Sequence, residues 1–304
     1  MRIRIKRMGL LVSLCMACML AGCNVELQNA RNFVEEDKIA VVTTIYPVYD
    51  FVKHIAGDRV EVINLVPAGI EPHDFELSTG DMRLLEQADL FVYNGAGMEH
   101  FVGRTLEALS NDKLVVVEAA GHITAIASDE GHTDPHTWLS VKNAMEEAEA
   151  IKDALVKMDP DNAGYYEDNY ADYKDELEEL DRAYREELTG LSNNTIVVAH
   201  EAFGYLCQEY GLKQEAIEGL TADSEPDSAR MKEIIDFCKQ EKIRVIFFEE
   251  LVSPKVADTI AGETNAVTMV LNPIEGLTAE QQEADLDYIG LMKANLEALK
   301  AALQ

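Results

Sequence analysis

From residue 39 onward, short and largely apolar runs alternate with longer stretches in which apolar side chains recur every three or four positions. The runs at 39–43, 60–66, 90–93 and 114–117 are rich in Val, Ile and Leu and too short for buried helices, so they read as strands. Helical periodicity lies between them, as at 81–88. Strand and helix alternating in this way predict a mostly parallel sheet covered by helices on both faces. A second set at 195–199, 243–248 and 265–271, again with helices between, predicts a second unit of the same design. The expected fold class is therefore α/β, with two lobes, each a mostly parallel sheet flanked by helices.

One long helical pattern with no strand in it separates the two sets. Asp159-Pro160 is a start signal and Gly190 a stop, and Tyr166, Tyr170, Tyr173, Leu177, Leu180, Tyr184 and Leu188 recur at spacings of three and four. A helix of about 30 residues would be roughly 45 Å long. It reads as a rigid strut, 159–190, joining an N-terminal lobe at 38–158 to a C-terminal lobe at 191–304.

The first residues follow a different logic. Arg2, Arg4, Lys6 and Arg7 precede a short apolar run, 9–20, that ends in Leu20-Ala21-Gly22-Cys23. A basic start, an apolar run too short to span a bilayer and a small-residue cleavage site describe a signal peptide. The cysteine directly after that site resembles a lipoprotein lipobox. Residues 1–23 are thus expected to be signal peptide and lipobox, Cys23 the lipidated N-terminus, and polar 24–37 a flexible tether. The chain would then sit outside the cytoplasm, held to the cell membrane through its lipid.

Charge narrows the partners. The formal net charge is −30, and cleavage before Cys23 removes four basic residues and no acidic one, leaving −34. Such a surface repels phosphate backbones, so nucleic acid is not an expected partner. With Cys15 and Cys18 lost in the signal, Cys207 and Cys238 remain beside Cys23, and their spacing leaves a disulfide and two reduced, buried thiols equally open.

In open parallel sheets, ligands gather beyond the carboxyl ends of the strands. Glu71-Pro72-His73 follows the 60–66 run, Asp134-Pro135-His136 lies in the long loop after 114–117, His200 directly follows 195–199, Glu249 and Glu250 follow 243–248, and Glu275 comes shortly after 265–271. Three histidines and a carboxylate, two groups from each lobe, are the donor set of a four-coordinate zinc site. The acid-Pro-His pattern, present twice, has a use: proline fixes the backbone ahead of the ligand, and Glu71 or Asp134 can act as an alternative ligand or hold an imidazole from behind. Trp138, Phe203 and Tyr205 are expected to wall the site, and Cys207, roughly 10 Å along a helix from His200, to lie outside it.

At these motifs the chain resembles the zinc-specific solute-binding lipoproteins of ABC transporters. The resemblance rests on Thr44-Ile45-Tyr46-Pro47, Glu71-Pro72-His73-Asp74-Phe75-Glu76, Asp134-Pro135-His136-Thr137-Trp138, His200-Glu201-Ala202-Phe203-Gly204-Tyr205 and Leu271-Asn272-Pro273-Ile274-Glu275. It implies a monomeric receptor that captures Zn²⁺ between two α/β lobes with His73, His136 and His200, and delivers it to a permease with a cytoplasmic ATPase. The fourth ligand it implies is Glu275, with Glu71 or a water as alternatives. Manganese receptors of the same superfamily generally have a glutamate at the position of His200, so a Mn²⁺ receptor is the alternative within the family. The segment 121–133 offers only His122 and His132, which puts a zinc-gathering loop in doubt.

Two other classes fit the sequence less well. A secreted zinc hydrolase would use the same donors, but Gly204 stands where the second histidine of a helical H-E-x-x-H pair belongs. An adhesin has no repeat, stalk or basic patch to support it. Capture by neutral imidazoles predicts an affinity that falls as pH drops through about 6.5.

Overall fold

The structure, a computed structural model, describes residues 38–127, 131–191, 193–220 and 226–304. The signal segment 1–23 with Cys23, and the tether 24–37, lie outside the described residues.

Two four-stranded sheets form, both wholly parallel. The first contains β1 (Ile39–Thr43), β2 (Val60–Asn64), β3 (Leu90–Tyr93) and β4 (Val115–Glu118) in the order β2-β1-β3-β4. The second contains β5 (Thr195–Val198), β6 (Lys213–Ala216), β7 (Val245–Phe248) and β8 (Val267–Val270) in the order β6-β5-β7-β8. The same winding is thus used twice. In each sheet the chain reverses its direction of growth beside the first strand, which opens a crevice at the carboxyl ends. The strand β6 is absent from the sequence expectation, because Lys-Gln-Glu-Ala at a sheet edge carries no apolar alternation.

The helices are α1 (Tyr46–Ala56), α2 (Thr79–Gln87), α3 (Val102–Ala108), α4 (Val141–Met158), α5 (Ala163–Leu188), α6 (Gly204–Tyr210), α7 (Ser228–Glu241), α8 (Lys255–Thr264), α9 (Ala279–Glu283) and α10 (Tyr288–Leu303). The central helix α5 has 26 residues, shorter than the expected run, because Pro160–Asn162 forms a separate 3-10 turn. Asp159 tightens that turn by accepting from Asn162 at 2.8 Å and from Tyr166 at 2.8 Å. The apolar stripe of α5 is core, as the spacing predicted: Tyr166, Tyr170, Tyr173, Leu177, Leu180, Tyr184 and Leu188 are all buried. Its tyrosine hydroxyls also reach neighbouring elements, Tyr184 donating to the Met292 carbonyl at 2.7 Å and Tyr173 to Asp50 at 3.3 Å. At the end of α1, Gly57 has φ +54°, a conformation that residues with side chains rarely adopt, and a Cβ there would also meet the Tyr165 hydroxyl of α5.

The largest core cluster is shared between the sheets. It joins Val41, Leu90 and Val92 of the first to Ile196, Val198 and Phe247 of the second through α1, α4, α5 and α10. Two smaller clusters cover the outer faces, one around Val42, Leu85 and Phe91, the other around Val197, Ile234 and Ile246. Cys207 lies in the shared core and Cys238 in an outer one; both are free thiols. Of the two states left open, the structure has the reduced one.

Candidate metal centre

Five strand ends supply the site. His73 sits in a single 3-10 turn, Pro72–Asp74, beyond β2, and the side chain of Glu71 accepts from the His73 backbone N–H at 3.3 Å. His136 precedes the turn Thr137–Leu139 that leads into α4. Asp134 holds it twice with one oxygen, accepting from the backbone N–H at 2.9 Å and from ring Nδ1 at 2.8 Å. His200 follows β5, and its Nδ1 donates to Glu249, at the end of neighbouring β7, at 2.5 Å. Glu275 lies beyond β8 on a segment fixed from several sides: Asn272 accepts from Ile274 N–H at 2.6 Å, Trp138 Nε1 donates to the Pro273 carbonyl at 2.7 Å, and Tyr46 N–H donates to the Glu275 carbonyl at 3.1 Å. These ties hold Ile274 at φ +61°, a left-handed conformation that a β-branched residue adopts only under constraint.

The ring Nε2 atoms converge. His136 Nε2 is 3.3 Å from those of both His73 and His200, and Glu275 Oε1 lies 2.8 Å from His136, 3.3 Å from His200 and 3.5 Å from His73. Donors about 2.0–2.1 Å from a zinc ion at tetrahedral corners are themselves about 3.3–3.4 Å apart, so the spacing matches a four-coordinate shell. His136, His200 and Glu275 are fully or almost fully buried, and the His73 side chain is 5% exposed. Trp138 and Phe203 are buried around them, with the Trp138 ring edge-on to His136 at 5.5 Å.

Electrostatics favour a cation at this point. Burial alone would depress the His136 pKa, but hydrogen bonds to Asp134 and Glu275 outweigh it and raise the imidazole to about 9. His200 is likewise lifted well above the usual histidine range, its burial overcome by Glu249 and Glu275. Burial would raise Glu275, yet hydrogen bonds from three imidazoles hold it well below the usual carboxylate range. Glu71 is pushed up to about 8 by burial and by the neighbouring Glu275 charge, so it is a proton-carrying neighbour of the cluster at neutral pH. One layer out, Glu147 of α4 is wholly buried, accepts from Thr137 at 2.6 Å and is raised to about 8 by burial.

The structure therefore brings together His73, His136, His200 and Glu275, whose donor atoms all lie within 4.8 Å of one another. Asp134 stands behind His136, and Glu71 beside Glu275. Sequence reasoning placed Glu249 among the strand-end groups of metal-ligand type without assigning it a part in the site; it lies one residue past β7, the strand paired with β5, which leads to His200. Gly204 also has a reason to be glycine: a Cβ there would stand 2.5 Å from Asp134 Oδ2. His122 and His132 are exposed and outside the convergent group. Cys207 is outside it too, and burial pushes its thiol up.

Among the described residues, two large cavities lie near the sheet ends. The bigger, about 770 Å³, lies among α1, β2 and residues 276–287 and touches none of the four convergent side chains. The other, about 640 Å³, is lined by His73.

Residues 41–302 match the family described as zinc-uptake complex component A, periplasmic (ZnuA). The chain is 40% identical over 309 residues to the high-affinity zinc uptake system protein ZnuA of Bacillus subtilis, covering 97% of each. It is 40% identical over 305 residues to the zinc-binding lipoprotein AdcA of Streptococcus pneumoniae, covering 96% of this chain and 60% of that longer protein. Among solved structures, the Zn(II)-bound ZnuA-like domain of Streptococcus pneumoniae AdcA superposes with a TM-score of 0.80 at 41% identity, covering 88% of this chain and 99% of that one.

Proposed function

The chain belongs to the ZnuA family of zinc-uptake components, and from that membership we propose that it is an extracytoplasmic receptor that binds Zn²⁺ and hands it to an ABC permease for import. The observation that carries this reading is the convergence of three imidazole Nε2 atoms on Glu275 Oε1 at the spacing of a tetrahedral shell. In this proposal His73, His136, His200 and Glu275 are the ligands, drawn from lobes at 38–158 and 191–304 on either side of the linker at 159–190.

The mechanism is capture. Asp134 and Glu249 keep the hydrogen on Nδ1 of His136 and His200, so that each Nε2 lone pair faces the ion. Zinc replaces the protons shared between the imidazoles and Glu275, and the Glu275 charge offsets part of its own. Three nitrogen donors favour Zn²⁺ over Mn²⁺, which prefers oxygen. Catalysis has no part in this reading: Glu275 fills the fourth position, where a hydrolase would hold its reactive water. Lipid anchoring through Cys23, a monomeric state and a partner permease with its ATPase complete the proposal. Among the described residues no helix is long and apolar enough to cross a membrane.

Calorimetric titration with competing chelator tests the site. One tightly bound Zn²⁺ per chain is expected, with weaker Mn²⁺ binding, and the combined His73→Ala, His136→Ala and His200→Ala variant should lose the zinc isotherm. Undiminished zinc binding in that variant would refute the site.

A further inference from the structure

Past β8 the chain leaves its sheet while still inside the molecule. Strand β8 lies at the sheet edge, and its pairing with β7 ends where the Leu271 N–H donates to the Phe248 carbonyl at 3.0 Å. The following residues form the arm that carries Glu275, and 271–277 are all buried without belonging to a helix or a strand. Buried backbone of this kind needs hydrogen-bond partners from elsewhere.

Asn295 of α10 supplies them. Its Oδ1 accepts from the Asn272 N–H at 2.8 Å and its Nδ2 donates to the Asn272 carbonyl at 2.6 Å, so one side-chain amide serves both backbone groups, as a neighbouring strand would. Asn295 is 2% exposed, on a helix face that otherwise presents Ile289, Met292, Leu296 and Leu299 to the core. An amide in such surroundings destabilises the fold unless both its groups are bonded.

The clamp continues towards the ligand. Asn272 Oδ1 accepts from the Ile274 N–H at 2.6 Å, and its Nδ2 donates at 2.8 Å to Glu250, which also accepts from Gln281 of α9. Behind the arm, the space among Glu71, Glu250, Pro273 and Gln281 is about 10 Å³, no more than one water needs. Glu275 therefore has little room to step back.

We propose that Asn295 is a positioning residue for the metal centre: by clamping Asn272 it fixes the arm, and with it the corner of the shell that Glu275 occupies. The proposal rests on the zinc-receptor reading above. A shell held at this spacing suits Zn²⁺, with four bonds of about 2.0–2.1 Å, whereas Mn²⁺ favours six donors in a wider arrangement. Asn295 thus acts on the choice of ion through the backbone and not at a ligand atom.

Zinc and Mn²⁺ affinities of the full chain, measured by chelator competition, test this together with the visible spectrum of the Co²⁺-loaded protein, which is intense only for a four-coordinate tetrahedral ion. Asn295→Leu removes both bonds to Asn272, and Asn272→Ala loosens the same arm from its other side. Each should weaken zinc binding roughly tenfold or more, the range for groups that orient ligands, with Mn²⁺ binding less affected and the Co²⁺ band diminished. Leu177→Ala, which destabilises the core without touching the arm, should keep the wild-type ratio of zinc to Mn²⁺ affinity and the full band. Amide hydrogen exchange of the metal-free wild type adds a readout that needs no variant: the Asn272 and Ile274 N–H groups should exchange as slowly as the core of α10. Rapid exchange at these two amides would overturn the proposal, as would a wild-type affinity ratio and Co²⁺ band in both arm variants. Absence of tight zinc binding in the wild type would instead remove the reading on which it rests.

Discussion

His136 has a carboxylate oxygen 2.8 Å from each ring nitrogen, Asp134 at Nδ1 and Glu275 at Nε2, and only the doubly protonated ring donates to both. That geometry moves the pH window expected from an ordinary imidazole. Without zinc the folded pKa of His136 is raised to about 9, so at neutral pH the ion must displace a proton that an unperturbed histidine would already have lost. Zinc affinity should therefore climb from pH 6 to pH 9, by up to about tenfold per unit for each proton released. Calorimetry in buffers of differing ionisation enthalpy should show net proton release at pH 7. Affinity flat over this range would contradict the assignment of His136. For the metal-free fold the sign is the usual one for a raised histidine: the stabilisation is complete below the unfolded pKa near 6.5 and is lost as pH rises through about 9. Much of this site can be read from residues, because His73, His136, His200 and Glu275 each follow a recognisable strand. Glu249 cannot be assigned that way, since its tie to His200 depends on β5 and β7 being neighbours, and order across a sheet is not written locally.

At the scale of elements, legibility follows burial. The strut is readable because α5 meets the core along one stripe for its whole length, so its tyrosines and leucines repeat at helical spacing. The beginning is less so: Pro160 is as compatible with a 3-10 turn as with the first residue of an α-helix, and the Asp159 bonds decide for the turn. The strand β6 is hidden because its pairing with β5 runs through the backbone and its side chains stay polar. Leu177 stands at mid-strut, fully buried in the shared core. Leu177→Ala should lower the free energy of unfolding by about 2–5 kcal/mol in urea denaturation, the range for a leucine cavity that cannot collapse. One bound zinc per chain should survive, since the strut supplies no ligand. Loss of stoichiometric zinc in a folded Leu177→Ala protein would mean that the helix does more than carry the lobes.

The whole molecule constrains how the site can open. Two lobes around a cleft suggest a hinge, yet the shared core runs unbroken from Val41 and Leu90 to Val198 and Phe247 through four helices. The last of them, α10, crosses back from the second sheet: the Tyr288 hydroxyl donates to the Trp138 carbonyl at 2.6 Å, and its ring packs edge-on against Phe51 at 5.1 Å. Parting the lobes by several ångströms would expose this core. Turning one imidazole exposes almost nothing. Close-packed interiors move between discrete arrangements and do not stretch, so exchange should be confined to loops at the strand ends. Small-angle scattering should accordingly give metal-free and zinc-saturated protein the same radius of gyration to within roughly 0.5 Å. A larger compaction on adding zinc would mean that the shared core divides during the cycle, and that release is a motion of whole lobes.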